Sequence, residues 1–347
     1  MKWSYLVLLF SASILLFSCK AAIITNPTNE TIFDFSISDY SESNYLLDST
    51  YSSSFNSYYI SGQSNIDISK IEVWVYAEAN NPQKRLCRAL TNITARPDSG
   101  YRYRQMADSD GVVLISNFIK LDQSEYTLNR YAGYITLNNY TATMGKDAIA
   151  VSYTITQYTG QEQFGDYVND MLADSLLSLK LIRTRAQQPP FENPNHAELW
   201  NRMLKNIYNL GVKNIQNDPN KFLLKIVKRP TSSTSLEVYI GDQHNINYAT
   251  NKSYLTLTKM DLRRGVSHDT NWATGGGPDG AFDFLPGKTI DLTNGNIIFP
   301  DLKPFSQTLI QRGVQADSIG LNDDIYNKSK TVTANEPIYF YISGSIK

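Results

Sequence analysis

Three histidines, His196, His244 and His268, are the first side chains to test for metal or acid–base chemistry in this 347-residue chain. They stand far apart in loop-like contexts with no second ligand at zinc spacing, so each reads as a polar loop residue. Asp108-Ser109-Asp110-Gly111 and Asp279-Gly280-Ala281-Phe282-Asp283 set carboxylates beside a glycine, as calcium loops do. Neither has the full ligand spacing or the distal bidentate acid, and turn formation by Asp and Gly accounts for both. Gly275-Gly276-Gly277 is a flexible turn, since no Gly-Lys-Ser/Thr follows it as a phosphate loop requires. Carboxylates for glycoside hydrolysis are plentiful, but such pairs are spatial and no flanking signature marks one. The expectation is a protein with no catalytic residue, no metal and no cofactor.

The two cysteines carry a different chemistry. Met1-Lys2 precedes an apolar run from Leu6 to Phe17, broken only by Ser11 and Ser13, which is the order of an export signal. The run is shorter than the roughly 20 apolar residues of a membrane-spanning helix. Leu16-Phe17-Ser18-Cys19 ends it with a cysteine behind a small residue, the form of a bacterial lipoprotein signal. Residues 1–18 are then a leader, and Cys19 is the lipidation site that holds the chain at a membrane. The competing reading is an ordinary leader cut near Ala21 or Ala22, which removes Cys19. With Cys19 acylated, Cys87 has no disulfide partner and reads as a buried small hydrophobe.

Composition narrows the class further. A formal net charge of -1 gives no electrostatic footprint for nucleic acid. Twenty-three tyrosines against 19% charged residues suit a β-rich envelope protein better than a helical enzyme. Trp74, Trp200 and most tyrosines read as core, and exposed ones could stack on sugars.

The elements that position these residues follow from local pattern. Residues 19–65 are rich in Ser, Asn, Thr and Asp and poor in branched aliphatics, and read as a tether. Order is expected from Ile66. Strands are predicted at Ile71–Tyr76, Gly111–Ile115, Ile149–Ile155, Leu177–Leu181, Phe222–Val227, Leu236–Ile240, Leu255–Leu262 and Glu336–Ile342. Hairpins are predicted over 125–137, with Gly133 in the turn, and over 289–299, with Asn294-Gly295 in the turn. One helix is predicted over 195–211, where Asn195 and Glu198 make a capping box and Leu199, Met203, Ile207 and Leu210 recur at helical spacing up to Gly211. The fold class is mainly β (α+β): antiparallel sheets in sandwich-like units with one embedded amphipathic helix. Two β-rich units, 66–188 and 189–347, are expected to meet near Gln187–Asn195.

Several segments, read in order, resemble the SprA family, the large outer-membrane translocon proteins of type IX secretion and gliding motility. The residues that carry the resemblance are Lys70–Val75, Tyr126–Asn138, Ile149–Tyr153 and Leu199–Tyr208. It continues through Pro278-Asp279-Gly280-Ala281-Phe282-Asp283-Phe284, Asn294–Pro300 and Pro304-Phe305, and covers roughly 66–346. SprA proteins are many times longer and form a closed barrel, whereas this chain holds one copy of a region that recurs in their N-terminal part. The resemblance implies no catalytic residues. It implies protein–protein contact with envelope partners of a secretion, motility or surface-assembly apparatus, and strand addition at an exposed edge is a natural mode for such a body. A glycan-binding surface lipoprotein and a fragment of a split translocon gene are the alternatives. Lys20-Ala21-Ala22 lacks the acidic residues that follow the cysteine in many surface-exported lipoproteins, which favours the periplasmic face of the outer membrane.

Overall fold

Aromatic side chains, joined by Ile37, Leu46 and Leu47, organise the first part of the molecule. The computed structural model describes residues 22–25, 30–94, 112–138, 148–157, 160–172, 175–228, 246–247, 252–262, 277–306, 323–333 and 340–347. Strand β1 (Ala22–Thr25) pairs antiparallel with β2 (Thr31–Ser36), and β3 (Asn44–Leu46) follows. Asp48 then caps a 3-10 turn at Ser49–Tyr51, which runs into helix α1 (Ser52–Ser61) and ends at left-handed Gly62. The expected tether is therefore folded from residue 30 onward, which corrects the reading of 19–65. Phe33, Phe35, Tyr40, Tyr45, Phe55 and Tyr59 are buried there. Each aromatic ring removes about 150–250 Å² from water, enough to order a segment that is otherwise polar.

A closed ring of strands comes next. Strand β4 (Ile68–Tyr76) is followed by β5 (Arg85–Leu90) and β6 (Val113–Lys120), then by the hairpin β7 (Tyr126–Asn129) and β8 (Tyr134–Leu137). Strands β9 (Ile149–Gln157), β10 (Gly160–Phe164) and β11 (Leu177–Arg183) complete this half. Hydrogen-bonded neighbours run β4, β9, β11, β5, β6 and back to β4, so five strands close a small barrel. Within it only β5 and β11 pair in parallel, Leu177 opposite Cys87. Alternation sends Trp74, Phe118, Leu179 and Leu181 to one face with small Cys87, Ala89 and Ala150, and these make one cluster drawn from all five strands. Two large rings facing three small side chains is how so narrow an interior fills. Cys87 is fully buried, and burial pushes its thiol up to about 12, as expected of an inert packing residue. Opposite faces of β4 and β9 turn Val73, Val75 and Val151 into the main core.

Beyond Gln187 a 3-10 turn at Pro194–His196 leads into α2 (Ala197–Arg202), six residues long. The helix predicted over 195–211 stops there, because Met203 takes an extended backbone and bridges Tyr45, and β12 (Ile207–Asn209) pairs with a strand some 90 residues later. Periodicity of four apolar residues fits either outcome, and long-range pairing decides it. Strand β13 (Phe222–Lys228) follows, with the short pair β14 (Ile246–Asn247) and β15 (Lys252–Ser253). The strand predicted at Leu255–Leu262 begins instead as the helical turn α3 (Tyr254–Leu257), capped by Ser253. Hairpin β16 (Ile290–Asp291) and β17 (Asn296–Ile298) forms as predicted, with Gly295 at φ 67 where a Cβ would overlap the Val212 carbonyl. The last strand, β18 (Phe340–Ile346), lies between β2 and β13, so the two ends of the chain share one sheet. The strand predicted at Leu236–Ile240 lies outside the described residues.

The fold class is mainly β with antiparallel sheets, as the pattern indicated. The boundary near 188, however, does not divide the core. One hydrophobic cluster joins Phe33, Val73 and Tyr153 to Trp200, Phe299 and Ile342.

One ion pair fastens the N-terminal arm to the barrel: the buried Lys180 ammonium on β11 donates to Asp48. Burial alone would raise the Asp48 carboxyl, but Lys180 and the Thr50 hydroxyl and amide outweigh it, taking the group from 3.8 to about 2. Lys180 itself moves down, through burial and then Arg202, so the pair does not repay the desolvation of its cation. A depressed carboxyl contributes stability above its unfolded pKa that is lost as pH falls through the folded one. Asp48→Asn should cost about 2 kcal/mol at pH 7 and flatten the loss of stability between pH 4 and 2, read from urea midpoints across pH.

Candidate binding cleft

The residues singled out for chemistry do not converge. His196 sits in the 3-10 turn, its Nδ1 accepting from Gln188 N at 3.1 Å and its Nε2 3.3 Å from Asn193 Nδ2. Asp279 Oδ1 accepts from Ala281 N, Asp283 Oδ2 from Leu262 N, and Asp261 takes the amides of Asp279 and Gly280. These carboxylates brace a loop through backbone N–H groups. Among the described residues no three His, Cys, Asp or Glu are grouped to hold a metal ion. Cys19, His244, His268, Asp108–Gly111, Gly275 and Gly276 lie outside the described residues. Trp74 and Trp200 are buried, as predicted for core.

A cleft of about 400 Å³ opens elsewhere, between α1, the β7–β8 hairpin and the β16–β17 hairpin. The last turn of α1 carries Tyr58 and Tyr59 and brings one partly buried and one buried ring to the cleft. Tyr131, in the turn after β7, is 43% exposed and lies nearly parallel to Tyr58, with centroids 6.1 Å apart and planes at 25°. Arg130 covers Tyr131 from 5.3 Å and pairs with Asp67. The Lys288 ammonium lies 2.9 Å from the Tyr58 ring centroid and donates to the Tyr58 carbonyl at 2.9 Å. Cations on tyrosine faces hold the rings in place while leaving their edges accessible.

The cleft floor is polar but neutral. Thr127 and Asn129 on β7 lie opposite Thr136 and Tyr134 on β8 and share one face of the hairpin. Asn129 donates to Tyr59 Oη at 3.1 Å, and the Tyr59 and Tyr134 hydroxyls are 2.8 Å apart. Burial raises Tyr134 to about 12 and Tyr59 well above 10, so both hydroxyls keep their protons as donors. Asp291 accepts from the Thr293 and Asn294 amides, which fixes the opposite wall. β7 is the outer strand of its sheet. Asn138 N donates to Glu125 O at 2.8 Å, and alternation from that pair turns the backbone of Tyr126 and Leu128 away from β8. No described residue hydrogen-bonds those groups of Leu128. Rigid rings, neutral donors and an open strand edge suit reversible binding of an extended, uncharged chain.

Sequence reasoning placed Tyr58 and Tyr59 in a tether and so missed half of the cleft. The aromatic spacing Phe55, Tyr58, Tyr59, one helical turn apart, was the available signal. No family model matches the chain, and no curated protein matches it.

Proposed function

We propose that this chain is a non-catalytic, SprA-like module of the bacterial cell envelope that works by protein–protein contact in type IX secretion, gliding motility or surface assembly. Its tether to the outer membrane is the lipid on Cys19, and its partner-binding site is the tyrosine cleft. One observation carries the reading: Tyr126–Asn138 and Asn294–Pro300, two of the segments that resemble SprA, both line that cleft. A partner's extended segment, laid along β7, would pair with the Leu128 backbone and pack against the edges of Tyr58 and Tyr131. The hydroxyl-rich floor also favours a second reading, hydrogen bonding to a glycan.

A photo-crosslinking side chain at position 131, activated in intact envelopes, should join the chain to one envelope protein. Tyr58→Ala with Tyr131→Ala should weaken that association about tenfold or more, as loss of buried aromatic anchors does. Crosslinking to no protein, together with retention on a glycan column abolished by the same double substitution, would sink the protein-contact reading in favour of the glycan.

A further inference from the structure

Beside the C-terminal end of α2 a cavity of about 260 Å³ is lined by Ser49, Asn201, Lys205, Lys303 and Tyr326, and no described acid lines it. Lys205 is 4% exposed. Its ammonium donates to the carbonyls of Trp200 at 2.9 Å and Met203 at 3.3 Å and stands 4.6 Å from the Trp200 ring centroid. Two lysines are buried among the described residues, Lys180 and Lys205; Lys180 has Asp48 as counter-charge, while no described carboxylate comes within ion-pair distance of Lys205. A buried ammonium met only by carbonyl dipoles and a ring face carries a charge with no counter-ion, which costs several kcal/mol unless it loses its proton or gains an anion. The side chains of Ser49 and Asn201 hydrogen-bond no described residue, so both can turn donors into the cavity. Lys303, exposed on the loop after β17, adds a second positive charge at the cavity.

We propose that this cavity binds a small oxyanion, held between the ammonium groups of Lys205 and Lys303 with Ser49 and Asn201 as further donors. Such a ligand supplies the missing counter-charge and makes two charge-assisted contacts. Burial, then the repulsion of Lys303, brings the Lys205 amine to about 7, and Glu42 opposes this from the turn before β3. Tyr326, from the short helix Asp324–Asn327, lines the same cavity, and the Tyr208 hydroxyl, donating to the Ile37 carbonyl at 2.9 Å, is 3.4 Å from the Lys205 carbonyl. The site is therefore charged and receptive below neutral pH and empties above it. This inference does not depend on the tyrosine cleft having a partner.

Calorimetric titration of the full folded chain with inorganic phosphate should show binding at pH 6 that is at least tenfold weaker at pH 8.5. Phosphate gains charge over that interval, so attraction to surface cations would change in the opposite direction. Lys205→Met should abolish binding and Lys303→Met, at an exposed position, should weaken it several-fold without loss of fold. Acetate binding in place of phosphate, with the same dependence on pH and on both lysines, keeps the site and assigns it to carboxylates. No binding of either anion, or binding unchanged in Lys303→Met, overturns the proposal.

Discussion

Removal of residues 20–47 is expected to leave a chain that no longer unfolds cooperatively in urea and that exposes apolar surface to a reporter dye. The deletion takes β2 out from beside β18, where Phe33 lies opposite Gly344 and Phe35 opposite Ile342, and takes β3 from beside β8. Phe33, Tyr45, Leu46 and Leu47 are each fully buried in the main core, so the cavity left behind spans several side chains. Phe33→Ala alone should cost about 3–5 kcal/mol, the usual range for a truncated core phenylalanine. Gly344 tightens the argument, since a Cβ there would run into the Leu223 carbonyl and the Phe33 ring; the strand can pass only because no side chain intervenes. A shortened chain with the parent's urea midpoint would restore the tether and make the contacts of β2 incidental.

Arg202→Met is the second large effect, about 3–5 kcal/mol, measured as a lowered urea midpoint with unchanged slope. Arg202 is completely buried where α2 meets the barrel. Its guanidinium donates to the carbonyl of Leu181 on β11 and, at 3.0 Å, to that of Thr91 just after β5, and pairs with Glu198 one turn back. β5 and β11 are the parallel pair, and their ladder ends at Leu90 opposite Lys180, so the next carbonyls on each strand need a donor from elsewhere. Methionine fills the space but leaves those oxygens unpaired in an apolar setting, and each carries its own desolvation penalty. Glu198→Gln should cost less, because residue 198 is a third exposed and an amide oxygen still accepts from Arg202. Equal losses for both substitutions would place the stabilisation in the ion pair rather than in the strand-end carbonyls.

Strands with a strong local pattern were legible in the sequence. Val73 and Val75 alternate with Trp74, Leu177, Leu179 and Leu181 hold one face, and Gly133 and Gly295 mark hairpin turns through left-handed backbone. These features depend on neighbours within a few residues, which is the range over which side-chain alternation and turn chemistry act. The 199–210 stripe failed as a helix signal for the opposite reason. Its apolar residues are buried as the stripe required, but by pairing with Tyr45 and with Asn296–Ile298, which no local window contains.

The sequence by itself determined a β-rich body, its turns, and the burial of Trp74, Trp200 and Cys87, because alternation, glycine conformation and apolar surface are properties of short segments. Tertiary structure alone decided that the polar N-terminal stretch is core, that β5 and β11 close a barrel side by side, and that Tyr58, Tyr131 and Asn294 face one cleft. Backbone hydrogen-bonding groups are the same at every residue, so which distant strands meet depends on the packing of the whole chain, and a site built from three such strangers exists only once that packing is complete.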